Sequence, residues 1–114
     1  MLTTLLVLLV AALHAYFAVL EMVLWEKPRT LKIFGNTAEF ASESKVLAAN
    51  QGLYNGFLCA GLLWGLVAGN QSFLVFFLLF VVIAGIYGGL TASRKIIFFQ
   101  AVPGAAALLA VLFA

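Results

Sequence analysis

The residue best suited to chemistry in this sequence is Glu21, which lies inside a long apolar segment near the start of the chain. Carboxylates are rare within apolar spans and commonly bind protons, ions or ligands there. The sequence therefore predicts a proton- or ligand-binding role for Glu21. Two alternatives remain open: a carboxylate near a membrane surface that pairs with Lys27 or Arg94, and a neutral acid that only forms hydrogen bonds.

His14 is the second ionisable residue of the same segment. It precedes Glu21 by seven residues, so both share one helical face at an axial separation of about 10 Å. A relay of protons through water or another residue is one interpretation, and a locally satisfied buried histidine is the other. A metal or haem site is not favoured, because the chain has one histidine and one cysteine, Cys59. No metal or cofactor is predicted.

A cluster of uncharged polar residues lies in the stretch AANQGLYNGFLCAGLLWG, residues 48–65. Its members are Asn50, Gln51, Tyr54 and Asn55. They cover an arc of about 140° on a helix, so they can face one interior. Later segments add Tyr87, Thr91 and Gln100. These groups either hold helices together or line a polar pocket, since an unpaired polar group in lipid costs several kcal/mol.

The composition is that of an integral membrane protein. The 114 residues are 66% hydrophobic and 9% charged, whereas soluble domains contain about 25% charged residues. Mean hydropathy is +1.19. Nothing in the sequence indicates nucleic-acid binding, and the lipid bilayer is the first predicted partner.

Four apolar segments have the length of about 20 residues that a span requires. They cover residues 2–25, 45–68, 72–92 and 95–114, and residues 26–44 form the only long polar connection. The first segment has no basic residue before it, so we expect a mature span and not a cleaved signal peptide. The sequence predicts one all-α domain over the whole chain, an antiparallel bundle of four transmembrane helices.

The basic residues give this bundle an orientation. All six fall at one end of the predicted spans: Lys27, Arg29, Lys32, Lys45, Arg94 and Lys95. The positive-inside rule places that end in the cytoplasm, with both termini on the outer side. The polar residues then lie in the cytoplasmic half of the membrane.

Glycines spaced four apart mark positions where helices can approach closely. The pairs are Gly52 with Gly56, Gly61 with Gly65, and Gly85 with Gly89. They predict helix packing within the bundle or, for one face of the second span, packing against a second copy of the chain. Pro103 predicts a kink in the fourth span.

The strings HAYFAVLEMVLW, AANQGLYNGFLCAGLLWG, AGIYGGLTASRKI and FFQAVPG resemble one family of small bacterial four-span membrane proteins, catalogued as domain of unknown function 1304. The resemblance covers essentially the whole chain. It implies the four-span architecture and a multi-pass location in the bacterial cytoplasmic membrane, and it supplies no activity. Its pattern positions here are His14, Glu21, Trp25, Asn50, Gln51, Gly52, Tyr54, Asn55, Gly56, Gly85, Tyr87, Gly88, Thr91, Gln100 and Pro103.

Three functions fit these residues. The first is binding or transport of a small polar or amphipathic solute with a proton coupled at Glu21, for which a homodimer would enclose enough volume. The second is a structural or accessory subunit whose polar residues only join helices. The third is a membrane enzyme using Glu21, His14 and Tyr87, which the absence of a metal motif, nucleophile elbow or phosphate-binding loop disfavours.

Overall fold

The protein is all-α. A computed structural model describes residues Met1–Ala114 and contains no strand. The helices are α1 (Leu2–Met22), α2 (Pro28–Phe34), α3 (Ala38–Ala68), α4 (Gln71–Thr91) and α5 (Val102–Phe113), and a π-helical turn, Ile97–Ala101, leads directly into α5. The chain divides into two compact units, one of residues 1–13 with 58–114 and one of residues 14–57.

The first unit has an apolar core to which α1, α3, α4 and α5 all contribute. Its fully buried side chains include Val7, Leu62, Leu78 and Ala107. Between α3 and α4 the chain reverses at Gly69, whose φ of 61° is a left-handed value that glycine adopts without strain. Asn70 then caps α4 by accepting a hydrogen bond from the backbone N–H of Phe73 at 3.1 Å.

Glycines bring the helices of this unit together. A Cβ atom on Gly61 would meet the Phe77 ring at 2.6 Å, and one on Gly65 would meet Leu74 at 2.7 Å. On α4, a Cβ on Gly85 would lie 2.7 Å from the backbone nitrogen of Ala101. Removing the side chain at each position therefore lets a neighbouring helix approach.

The π-helical turn absorbs the break that the proline creates. Pro103 has no backbone N–H, so a regular hydrogen-bonding pattern cannot pass through it. The chain widens into the π-helical turn before Val102 and resumes α-helix afterwards. Gln100, inside that turn, donates through Nε2 to the carbonyl oxygen of Val81 at 3.2 Å. The irregularity that Pro103 predicts in this segment takes the form of a widened helical turn just before the proline.

The second unit contains the end of α1, all of α2 and residues 38–57 of α3. Pro28 occupies the start of α2, where its missing N–H costs nothing, and Gly35 ends the helix in a left-handed conformation with φ 68°. Trp25 lies between helices: its ring centroid is 5.1 Å from that of Phe34, and its indole N–H donates to Ser44 Oγ at 3.2 Å. The connection between α1 and α3 is thus ordered.

The helix boundaries differ from the sequence prediction at this connection. Residues 26–44 were expected to be a polar loop, but they contain α2, and α3 begins at Ala38 instead of near Lys45. The reason is that hydropathy reports burial in lipid, whereas Glu39 and its polar neighbours are compatible with a helix in water. At about 1.5 Å per residue, the 31 residues of α3 are roughly 46 Å long.

Two helices, α1 and α4, are long and apolar enough to cross a membrane. The helical segment Ile97–Phe113 is apolar but shorter. Residues 38–57 of α3 contain the polar cluster and the charged residues of that helix, which lower its hydropathy.

Candidate functional site

Glu21 lies in the last turn of α1 and is only 3% exposed. Its Oε1 accepts a hydrogen bond from Asn55 Nδ2 at 2.5 Å, and its Oε2 accepts one from Gln51 Nε2. Gln51 and Asn55 are four residues apart on α3, so their side chains project from the same face one turn apart. The sequence thus assembles one carboxylate and two amides within the second unit.

Gly52 allows this contact to form. A Cβ atom at this position would lie 2.6 Å from Met22 Cγ, 3.0 Å from Glu21 Cβ and 3.1 Å from the Ala18 carbonyl oxygen. The absence of a side chain therefore brings the backbone of α3 against α1 at the level of the carboxylate. Because Gly52 directly follows Gln51, close approach and hydrogen bonding occur at the same point.

The carboxylate retains capacity for another partner. An ionised carboxylate offers about four lone-pair positions and no donor. The two amide N–H groups occupy one position on each oxygen. The remaining positions can accept a proton, an ammonium group or a cation.

A cavity of about 560 Å³ adjoins Glu21 within the second unit. Its polar lining residues are Glu21, Glu26, Lys27, Lys45 and Asn50, and Trp25 also lines it. The cavity lies within the range of about 300–1,000 Å³ that is typical of small-molecule sites. No ion pair within 4.0 Å joins these carboxylates to these ammonium groups. Glu21 is therefore held by amides and not by Lys27.

The family model described as "Protein of unknown function (DUF1304)" matches residues 8–112. The chain belongs to the DUF1304 family. One relative, described as "Uncharacterized protein YpaA" from Lactococcus lactis subsp. lactis (strain IL1403), is 32% identical over 115 residues, which cover 97% of this chain and 94% of the relative. No solved structure matches the chain significantly.

The other polar residues of this DUF1304 protein do not join the Glu21 cluster. Asn50 is exposed and donates to the carbonyl oxygen of Val46 on its own helix at 2.9 Å, although it lines the cavity. Tyr54 is 66% exposed. Asn50 and Tyr54 each lie about 100° around α3 from the residue that follows them, so only the Gln51 and Asn55 side of the predicted arc reaches Glu21.

The polar residues of the first unit form local bonds. Thr91 donates to the carbonyl oxygen of Tyr87 one turn earlier at 2.7 Å, and Tyr87 is 70% exposed. Gln100 bonds to the backbone of α4 at Val81. The structure therefore gives these three residues no shared network.

His14 is fully buried. Its ring packs edge-on against Phe17, with ring centroids 5.5 Å apart and an interplanar angle of 71°. No group of three or more His, Cys, Asp or Glu side chains is placed to hold a metal ion.

The predicted packing glycines behave differently from one another. Gly52, Gly61, Gly65 and Gly85 each lie against a neighbouring helix, as does Gly89, which lies against Ile97. A Cβ atom on Gly56 would meet nothing within 4 Å. Within this chain, Gly56 is thus not a packing position.

Sequence reasoning missed the outer lining of the cavity. Lys45 was used only to orient the chain, Lys27 was otherwise considered only as an ion-pair partner of Glu21, Trp25 was named only as a position of the family pattern, and Glu26 received no role. The available signal was the run Trp25–Glu26–Lys27 immediately after an apolar helix, since tryptophan and charged residues at a span's end mark the membrane surface.

Proposed function

We propose that the protein crosses the membrane four times, through α1, the apolar part of α3, α4 and the segment Ile97–Phe113. The outer side of α4 supports this proposal. Phe76, Ile83 and Leu90 recur every seven residues and are 64%, 64% and 77% exposed. A row of large apolar side chains with this exposure is stable against lipid and unfavourable against water.

The basic residues support an orientation with both termini outside. All six precede, follow or connect the proposed spans at the same end, which the positive-inside rule assigns to the cytoplasm. In a bacterial cytoplasmic membrane, the Glu21 cluster then lies near the cytoplasmic surface. A second copy of the chain is part of the proposal, because 114 residues enclose little volume.

We further propose that the protein binds a small polar or amphipathic solute at Glu21 and transports it in exchange for a proton. The observation that supports this role is a buried carboxylate, fixed by two amides, in the wall of a cavity of about 560 Å³. An uncompensated carboxylate away from water costs several kcal/mol. A proton or a cationic group of the solute compensates the same charge, so the two compete for one site.

This competition couples solute binding to proton release. Solute binding displaces the proton, and proton binding displaces the solute, by the reciprocity that links any two ligands of one site. Gln51 and Asn55 hold the carboxylate in place in both the proton-bound and the solute-bound state. They can do so because each N–H group occupies one position on an oxygen and leaves the others open.

A thermal-stability screen in detergent tests the binding function. The panel contains primary amines, quaternary ammonium compounds, amino acids and phosphorylated amines. A ligand at one hundred times its Kd stabilises the folded state by about 2.7 kcal/mol, which raises Tm measurably. We expect hits with the unmodified protein and with Glu43→Gln, an exposed position outside the cavity, and loss of those hits in Glu21→Gln.

Uptake of each hit into proteoliposomes then tests proton coupling. Accumulation should follow an imposed pH gradient and disappear in Glu21→Gln. A panel without hits, or equal stabilisation of Glu21→Gln, contradicts the binding function. Uptake that ignores the pH gradient contradicts only the coupling.

A structural or accessory role is the second candidate. The observation in its favour is that Glu21 is already bonded directly to Gln51 and Asn55, as expected of polar groups that join helices. This role predicts that Glu21→Gln lowers stability without changing any ligand response, and that the protein co-purifies with a larger complex.

A further inference from the structure

The cavity beside Glu21 brings together charges of both signs. Glu21 and Glu26 contribute two carboxylates, and Lys27 and Lys45 contribute two ammonium groups. None of these carboxylates lies within 4.0 Å of either ammonium nitrogen. Glu26, Lys27 and Lys45 are exposed and therefore available to a ligand, and Glu21 offers the oxygen positions that its two amides leave open.

The balance of these charges restricts the ligand. With all four groups ionised, the lining has no net charge, so a ligand with a large charge of either sign meets two like charges as well as two opposite ones. A ligand that carries one cationic and one anionic group can satisfy both pairs at once. Such complementarity discriminates among ligands more strongly than it raises affinity.

The rest of the lining is suited to an amphipathic molecule. Met22, Val23 and Val46 line the cavity and are also exposed on the surface. Their exposed apolar side chains provide surface beside the cavity against which an acyl chain can pack. Trp25 forms another wall, and tryptophan is typical of the level at which lipid head groups meet hydrocarbon.

We propose that this cavity binds a phosphorylated amine of the kind found in aminophospholipid head groups. Its ammonium group lies at Glu21 and Glu26, and its phosphate lies at Lys27 and Lys45. A sphere of the cavity's volume is about 10 Å across, which accommodates a head group but not two acyl chains. The inference rests on the proposed binding function, for which it names the ligand class.

Titration with short-chain lipids tests the inference. The probe is dihexanoyl-phosphatidylethanolamine below its micellar concentration, and the comparison lipid is dihexanoyl-phosphatidylglycerol, which has the phosphate without the ammonium group. Trp25 fluorescence reports binding in a Trp64→Phe background, since Trp25 and Trp64 are the two tryptophans. Isothermal titration calorimetry provides a second readout. We expect the ethanolamine lipid to bind at least tenfold more tightly.

Variants at exposed lining residues show which residues bind the phosphate and which bind the ammonium group of the ligand. Lys45→Gln should weaken binding of both lipids about tenfold, because a hydrogen bond to a charged group is lost. Glu26→Gln should weaken only the ethanolamine lipid. Glu43→Gln, the matched exposed control, should change neither. These positions are exposed, so the variants should fold, which circular dichroism checks.

Free phosphoethanolamine separates a lipid from a soluble source. Binding as tight as that of the lipid assigns the site to a soluble phosphorylated amine, and much weaker binding assigns it to the lipid. Equal affinity for phosphatidylglycerol, absence of binding in both readouts, or identical affinities of Lys45→Gln and Glu43→Gln would overturn the inference. Binding without any proton-coupled uptake would instead retain this site and remove the carrier function.

Discussion

Replacing Gly52 with alanine should destabilise the protein, whereas the same replacement at Gly56 should stabilise it. Both residues lie in α3, one turn apart. A Cβ at Gly52 would lie 2.6 Å from Met22 Cγ and 3.1 Å from the Ala18 carbonyl oxygen, and a Cβ at Gly56 would contact nothing within 4 Å. The two variants therefore differ in packing while sharing the same chemical change.

The magnitude follows from two opposing terms. Replacing glycine with alanine inside a helix stabilises by about 0.5–1 kcal/mol at either position, because alanine has less conformational freedom to lose. At Gly52 the added methyl overpacks the contact with α1, which costs about 1–3 kcal/mol. The Met22 side chain can move aside, but the Ala18 carbonyl belongs to the helix backbone. The helix-propensity term cancels between the variants, so their stabilities should differ by about 1–3 kcal/mol.

Unfolding by sodium dodecyl sulfate in mixed micelles, followed by far-ultraviolet circular dichroism, measures this difference. Gly52→Ala should unfold at a lower detergent fraction than the unmodified protein, and Gly56→Ala at a higher one. Gly52→Ala should also weaken ligand binding, since a wider separation of α1 and α3 lengthens the bonds from Gln51 and Asn55 to Glu21. Equal or greater stability of Gly52→Ala relative to Gly56→Ala would refute the packing described for this unit.

Two further measurements address the cluster and the topology. Glu21→Ala leaves the Gln51 and Asn55 amides without their acceptor and should lower the free energy of unfolding by about 1–3 kcal/mol. In an Asn55→Ala background the same replacement should cost less. Additive costs in this double-mutant cycle would show that the hydrogen bond between Glu21 and Asn55 contributes nothing. In a Cys59→Ser background, a membrane-impermeant maleimide added to intact spheroplasts should label Ser72→Cys and not Ser42→Cys, both exposed positions, and the opposite pattern would contradict the proposed orientation.

The helical class could be predicted from the sequence because apolar segments and basic connections leave few alternatives. Helix bounds were less predictable, since α3 continues seven residues upstream of the expected start through polar side chains that water tolerates. The π-helical turn Ile97–Ala101 could not be predicted from the sequence either. Proline predicts an irregularity, but whether the helix bends or widens depends on what packs beside it, here α4 at Gly85.

The residues of the candidate site were easier to predict from the sequence than the directions in which their side chains point. Glu21, Gln51 and Asn55 were all named, because buried polar groups require partners. The same rule also included Asn50 and Tyr54, which the structure turns outward. A helical arc fixes the angle between side chains, but the position of the neighbouring helix decides which part of the arc is buried.

The charged residues beyond the cluster are the reason for proposing binding and not only cohesion between helices. Cohesion of α1 and α3 is explained by Glu21, its two amides and the close approach at Gly52. It requires no cavity. The positive-inside rule explains why Lys27 and Lys45 lie at this end of the chain, but not why they share a cavity with two carboxylates and form no ion pair to either. Their separation around a shared cavity is what a ligand with two opposite charges requires.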